Sequence, residues 1–86
     1  DEEEFTPERT ARMEAQVMAE VDSAISGIRK WADLGVIVSN EVGMGLVPES
    51  PLGRIFRDIA GRVNQHIAAE ADSGYLLVSG IPLRLK

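Results

Sequence analysis

Cysteine is absent from this chain of 86 residues. That excludes a disulfide scaffold, a cysteine-based zinc or iron–sulfur centre, and a thiol nucleophile. Histidine occurs once, as His66, so no pair of imidazoles can share a metal ion. Basic residues are the minority, 9 Lys and Arg against 14 Asp and Glu, for a formal net charge of -5. This acidic balance argues against non-specific nucleic-acid binding. Long apolar runs are missing too. Leu76-Leu77-Val78 is typical of the longest, far short of the ~20 residues a membrane span needs. No apolar signal segment opens the chain, so neither a membrane anchor nor a signal peptide is expected. The first residues, Asp1-Glu2-Glu3-Glu4, include no initiator methionine, as in a fragment or a processed product.

What is present argues for a folded chain. Its 44% hydrophobic content is too high for disorder throughout. The charge is unevenly placed. Residues 1–6 read as a disordered, solvated acidic lead-in, and Glu8 prolongs the acidic run. Thr6-Pro7-Glu8 is a helix start: a capping threonine, a proline at the first helical position, and an acid at the positive end of the dipole. Met13, Val17, Val21, Ile25, Ile28 and Trp31 recur at spacings of three and four. They predict one amphipathic helix over residues 7–32 with this stripe in the core. Gly35 closes the helix region. Val36-Ile37-Val38 is a β-branched run without alternation, suited to a strand buried on both faces.

Residues 39–49 read as a long loop. Ser50-Pro51 begins a second helix, expected to reach Asp72. Its apolar face is Ile55, Phe56, Ile59, Ala60, Val63, Ile67 and Ala71. Arg54, Arg57, Asp58, Gly61, Asn64 and Gln65 gather on the other side. Beyond Gly74, Tyr75–Val78 is a second buried-type strand, Ser79-Gly80 a two-residue turn, and residues 81–86 an antiparallel return. Pro82 confines that return strand to a sheet edge or bulge. The order helix, strand, helix, strand, strand implies an α/β fold with a right-handed parallel strand–helix–strand unit. Two helices cannot cover both faces of such a sheet. The chain therefore reads as the trailing part of a larger doubly wound domain.

In open α/β sheets, ligands bind beyond the carboxyl ends of the strands. Asn40 and Glu41 leave the first strand into that crevice. Asparagine donates and accepts, while glutamate accepts only, suiting a hydroxyl or a metal-bound water. Gly43 and Gly45 would let backbone approach a ligand, or simply shape the loop. There is no Gly-Lys-Ser or Gly-Lys-Thr phosphate loop, and Gly43-Met44-Gly45 lacks the third glycine of a dinucleotide fingerprint. The stripe Arg54, Arg57, Asp58, Gly61, Asn64, Gln65 favours directional hydrogen bonding over plain solvation. Gly61 in a helix interior costs about 1 kcal/mol against alanine, which suggests close approach of another backbone. This face is expected to pack on polar protein surface, within the domain or in another subunit. His66, at the margin of the apolar face, lacks partners for metal binding or catalysis and is expected to be structural. Ser39 and His66 have no hydrolase spacing, and no Gly-x-Ser-x-Gly occurs.

Together these residues resemble a known family. Val38-Ser39-Asn40-Glu41-Val42-Gly43, Gly45 and Val47-Pro48-Glu49 are similar to a loop of the bifunctional adenosylcobinamide kinase/adenosylcobinamide-phosphate guanylyltransferases. Arg54-x-Phe56-Arg57-Asp58-x-x-Gly61-x-x-Asn64-Gln65 resembles the helix that follows it. Gly80-Ile81-Pro82-Leu83-x-Leu85-Lys86 resembles the family's carboxyl terminus. Ser50-Pro51 and Ser73-Gly74 depart from the pattern, where Asn-Ala-like and Glu-Val-like residues are expected. The resemblance covers residues 34–86, with the first helix matching only in kind.

The resemblance implies a P-loop, RecA-like fold with a mainly parallel sheet, of which residues 7–86 would be the carboxyl-terminal half. It implies a cytoplasmic homotrimer acting on a corrinoid, with neither nucleic acid nor membrane as partner. One reaction phosphorylates the aminopropanol hydroxyl of adenosylcobinamide. The next passes GMP from GTP to that phosphate through a guanylylated histidine. GTP or ATP and Mg2+ are the implied cofactors. In the family the phosphate cradle, that histidine and the acidic strand-end residue lie in the amino-terminal half, the partner this chain lacks. No catalytic role therefore falls on His66 or any other residue here, and the chain alone is expected to be inactive. A non-catalytic assembly or binding module acting through Arg54, Arg57 and Gln65 is the alternative.

Overall fold

Among the described residues two capped helices precede a hairpin. The computed structural model describes residues 6–41 and 50–86. Residues 1–5 of the acidic lead-in and the loop glycines Gly43 and Gly45 lie outside the described residues. Helix α1 spans Pro7–Trp31 and α2 spans Pro51–Glu70, followed by β1, Tyr75–Val78, and β2, Ile81–Arg84.

Each helix begins as its sequence dictates. The Thr6 side chain accepts a hydrogen bond from the Arg9 amide at 3.2 Å, and Ser50 Oγ accepts one from the Gly53 amide at 3.0 Å. Each satisfies one of the orphan donors of a first turn, and the proline that follows each cap has no donor to lose. Both helices end where the next residue, Ala32 or Ala71, becomes extended, slightly short of the expected bounds. Gly35 serves a close approach. A Cβ there would stand 1.9 Å from Ile28 Cγ2, so only glycine lets the chain fold back over that side chain.

The last turn of α2 contains no base of its own. Cations from distant positions take that place. Lys86 Nζ donates to the Ala68 and Ala69 carbonyls at 2.9 and 3.1 Å, and an Arg29 guanidinium nitrogen donates to the Glu70 carbonyl. Positive charge is favoured at this negative end of the helix dipole.

The hairpin follows its turn chemistry. Ser79 and Gly80 have φ of 52° and 76°, the left-handed pair of a two-residue turn. The register sets Val78 against Ile81 and Leu77 against Pro82. The pair flanking such a turn exchanges hydrogen bonds and the next pair does not, so Pro82 occupies a position that needs no donor toward β1. Gly74 closes the ladder, its carbonyl accepting from Leu85 N at 2.8 Å and its amide donating to the Lys86 carbonyl at 3.2 Å.

Val36–Val38 does not form the expected strand. A strand exists only through its ladder, and among the described residues β1 is paired on one edge only, with β2. Val36 and Val38 stay 74% and 90% exposed. The sheet of the described residues is thus two-stranded and antiparallel, and the parallel unit is not formed in it.

The apolar stripe is likewise only partly packed. Val17, Val21, Ile25 and Ile28 are half-buried, as are Ile55, Ile59, Val63 and Ile67 of α2. Trp31, expected in the core, is 80% exposed and lies under its own neighbour, Lys30 Nζ, at 5.1 Å from the ring centroid. No described residue is fully buried. The molecule measures 44 × 32 × 15 Å, and a thickness little above one helix diameter encloses no side chain on all sides. Among the described residues no helix is long and apolar enough to cross a membrane.

Candidate functional site

Three polar pairs join α1 to α2. Glu14 meets Arg62, Asp22 meets His66, and Arg29 meets Glu70. Both members rise in number together, so the two helices run in the same sense. Ser39, Asn40 and Glu41, which follow α1 in the chain, lie across the middle of α2.

Asn64 receives them there. Its amide nitrogen donates to the Asn40 carbonyl at 2.8 Å, and its amide oxygen accepts from Ser39 Oγ at 2.6 Å. Both ends of one amide are used, so its orientation is fixed by chemistry: the flipped amide would set oxygen against the Asn40 carbonyl.

Two depressions adjoin this clamp. One, of about 470 Å³, is polar and lined by Glu41, Arg57, Asp58, Gly61, Arg62, Asn64, Gln65 and Ala68. Along α2, positions 57, 61, 64, 65 and 68 fall on one stripe at helical spacing, and Glu41 supplies the facing wall. The other, of about 400 Å³, is apolar and lined chiefly by Met13, Val17, Leu52, Ile55, Phe56, Ile59 and Val63, with Ser39 and Asn64 also in its lining. Asn64 borders both.

Most candidates from the sequence thus meet. Glu41, expected at the crevice, shares the polar depression with Arg57, Asp58, Gly61, Asn64 and Gln65, expected as a packing face. Asn40 contributes its carbonyl to the clamp. Arg54 is not part of the lining. A Cβ on Gly61 would meet nothing within 4 Å, so no contact within the described residues calls for that glycine.

The electrostatics separate the basic residues. Arg62 forms a two-pronged contact with Glu14, Nε to Oε2 at 2.8 Å and Nη2 to Oε1 at 2.6 Å. These bonds, with the attraction of the guanidinium, hold the Glu14 carboxyl below its usual range. Arg62 is thereby tied to α1. Arg57, 3.9 Å from the carboxylate of its neighbour Asp58, reaches the same depression. Glu41, Asp58, Arg57 and Gln65 together offer acceptors and donors suited to orienting an oxygen-rich group. His66 faces α1, its Nε2 lying 2.5 Å from Asp22 Oδ1. That hydrogen bond first, then the charges of Asp22 and Glu70, raise its pKa above the ordinary histidine value. The imidazole is a helix–helix contact and does not line the polar depression.

Sequence reading missed the Ser39–Asn64–Asn40 clamp and the Glu14–Arg62 contact. Their partners stand 24 or more positions apart, and no local periodicity links residues at such distances.

The family model for cobinamide kinase / cobinamide phosphate guanyltransferase matches residues 2–85. The chain belongs to this family. Among its relatives, the bifunctional adenosylcobalamin biosynthesis protein CobU of Escherichia coli is 53% identical over 74 residues, 86% of this chain and 41% of the relative. The protein of the same name from Salmonella typhimurium is 50% identical over 76 residues, 88% of this chain and 42% of the relative. The bifunctional adenosylcobalamin biosynthesis protein CobP of Pseudomonas aeruginosa is 41% identical over 51 residues, 59% of this chain and 30% of the relative. The chain thus spans about two-fifths of the length of the two CobU relatives. The family match takes in α1, which the sequence motifs alone resembled only in kind.

Proposed function

We propose that this chain is the carboxyl-terminal part of a cobalamin-biosynthesis transferase. The whole enzyme phosphorylates the hydroxyl of adenosylcobinamide and then transfers GMP from GTP to the resulting phosphate. The observation that carries this reading is the identity of about one residue in two to CobU proteins across nearly nine-tenths of the chain.

The nucleotide supplies the phosphoryl and guanylyl groups, with Mg2+ balancing their charge. The described residues include no cluster of three imidazole or carboxylate groups able to hold a metal ion. The metal, the phosphate cradle and the guanylylated histidine are assigned to the rest of the enzyme. This chain's part is to cover the sheet and to form one wall of the cleft with Asn40 and Glu41. The Arg57–Gln65 stripe packs against polar surface of the same enzyme or of another copy in a cytoplasmic homotrimer. The open space over Gly61 supports that assignment, because a packed neighbour would explain the missing side chain. The same space is the observation favouring an assembly module as the second reading.

Incubation with GTP labelled at the α-phosphate decides between them. The full-length enzyme should become covalently labelled and should phosphorylate cobinamide, while this 86-residue chain should do neither. Label on the short chain overturns the assignment of the guanylylated residue to the rest of the enzyme, and a full-length protein inert in both reactions overturns the transferase reading and leaves the assembly module.

A further inference from the structure

The side chain that governs how residues 39–41 enter the site is Asn64. Three observations converge on it. Its amide uses both ends, holding Ser39 Oγ and the Asn40 carbonyl at 2.6 and 2.8 Å. It borders both depressions of α2. Ser39 lines the apolar one and Glu41 the polar one, so the chain passes from one to the other at the clamp.

We propose that Asn64 is a positioning residue of the transferase: it fixes where the backbone crosses α2 and so delivers Asn40 and Glu41 to the cleft. The proposal rests on the functional reading above for its effect on turnover, and on geometry alone for its effect on the backbone. Asparagine is specific to the task. Aspartate would still accept from Ser39 Oγ, but would set a charged oxygen against the Asn40 carbonyl. Leucine, of similar size, would remove both bonds. Misplacing a reacting or binding group by about 1 Å costs up to about a hundredfold in rate. Loss of the clamp is therefore expected to act on kcat more than on nucleotide KM.

The test uses the full-length enzyme carrying Asn64→Asp, Asn64→Leu, Ser39→Ala or Ser39→Thr. Amide hydrogen exchange by mass spectrometry reads the backbone, and steady-state kinetics read the site. Asn64→Asp should speed exchange at residues 39–41 and leave the rest of α2 near wild type. It should lower kcat by about tenfold or more, with nucleotide KM within about a factor of two. Ser39→Ala should show a smaller effect in the same direction, and Ser39→Thr, which keeps the hydroxyl, should restore wild-type exchange. Unchanged exchange at 39–41 in Asn64→Asp, or exchange raised equally along all of α2, overturns the clamp. Should the Asn64 variants not fold, the Ser39→Ala and Ser39→Thr pair decides it: identical exchange in the two overturns it. A wild-type enzyme inert in both reactions overturns the functional reading alone, and exchange still decides the clamp.

Discussion

Arg62 of α2 grips Glu14 of α1 with two parallel hydrogen bonds, 2.8 and 2.6 Å long, across 48 positions of sequence. The guanidinium fork matches the carboxylate, so direction as well as charge is fixed. Beside it, Asp22–His66 and Arg29–Glu70 continue the seam between two helices that run in the same sense. Between these helices in sequence, residues 39 and 40 lie against α2, where Asn64 holds them.

The Glu14–Arg62 contact should make stability sensitive to acid. Glu14 is held below its ordinary value of 4.5, so its contribution is present above that pH and is lost as pH falls through the depressed value. In full-length protein, Glu14→Gln should lower Tm by a few degrees at pH 7. The gap to wild type should narrow as pH falls below 4.5 and through the depressed value. Both side chains are partly exposed, so salt should shrink the effect. A gap independent of pH would remove the ion pair as its cause.

His66 should report the opposite slope. Its pKa is raised above 6.5 by Asp22, so the contact contributes fully below pH 6.5 and is lost as pH rises through the raised value. Titration of the His66 ring by NMR in the full-length protein, assigned with His66→Gln, should give a midpoint above 6.5. Asp22→Asn should bring that midpoint down. An unshifted midpoint in wild type would mean the contact does not hold in solution.

Gly35 should tolerate no side chain while Ile28 is intact. A Cβ would stand 1.9 Å from Ile28 Cγ2, and overpacking of this kind typically costs about 1–3 kcal/mol. Gly35→Ala should therefore destabilise the full-length protein by that order in denaturant unfolding. The double variant Gly35→Ala with Ile28→Ala should lose less than the sum of the two single changes, because the shortened side chain vacates the space. Strict additivity would show that the two positions do not touch.

The local features were legible because their causes are local. Thr6-Pro7 and Ser50-Pro51 carry capping oxygens and proline within a few residues of the amides they serve, so each helix start is written in adjacent letters. Ser79-Gly80 specifies its turn in the same way, through left-handed backbone at two neighbouring positions. The polar stripe of α2 was legible through helical periodicity, and the structure joins it to Glu41. Trp31 and Val36–Val38 went otherwise because burial and strand pairing are not properties of a segment. A β-branched run becomes a strand only when another strand offers its edge, and a tryptophan is core only when something lies over it.

The sequence by itself determined the helix starts, the hairpin turn and the family, all of which reside in residues close together along the chain or in their ordered identities. The tertiary structure alone decided which charges meet and where the backbone crosses α2. Glu14 finds Arg62, and Asn64 takes hold of Ser39 and Asn40, because parallel packing of two helices and a returning segment brings distant groups within hydrogen-bond reach. Such bonds act over about 3 Å in space, and no spacing along the chain encodes them.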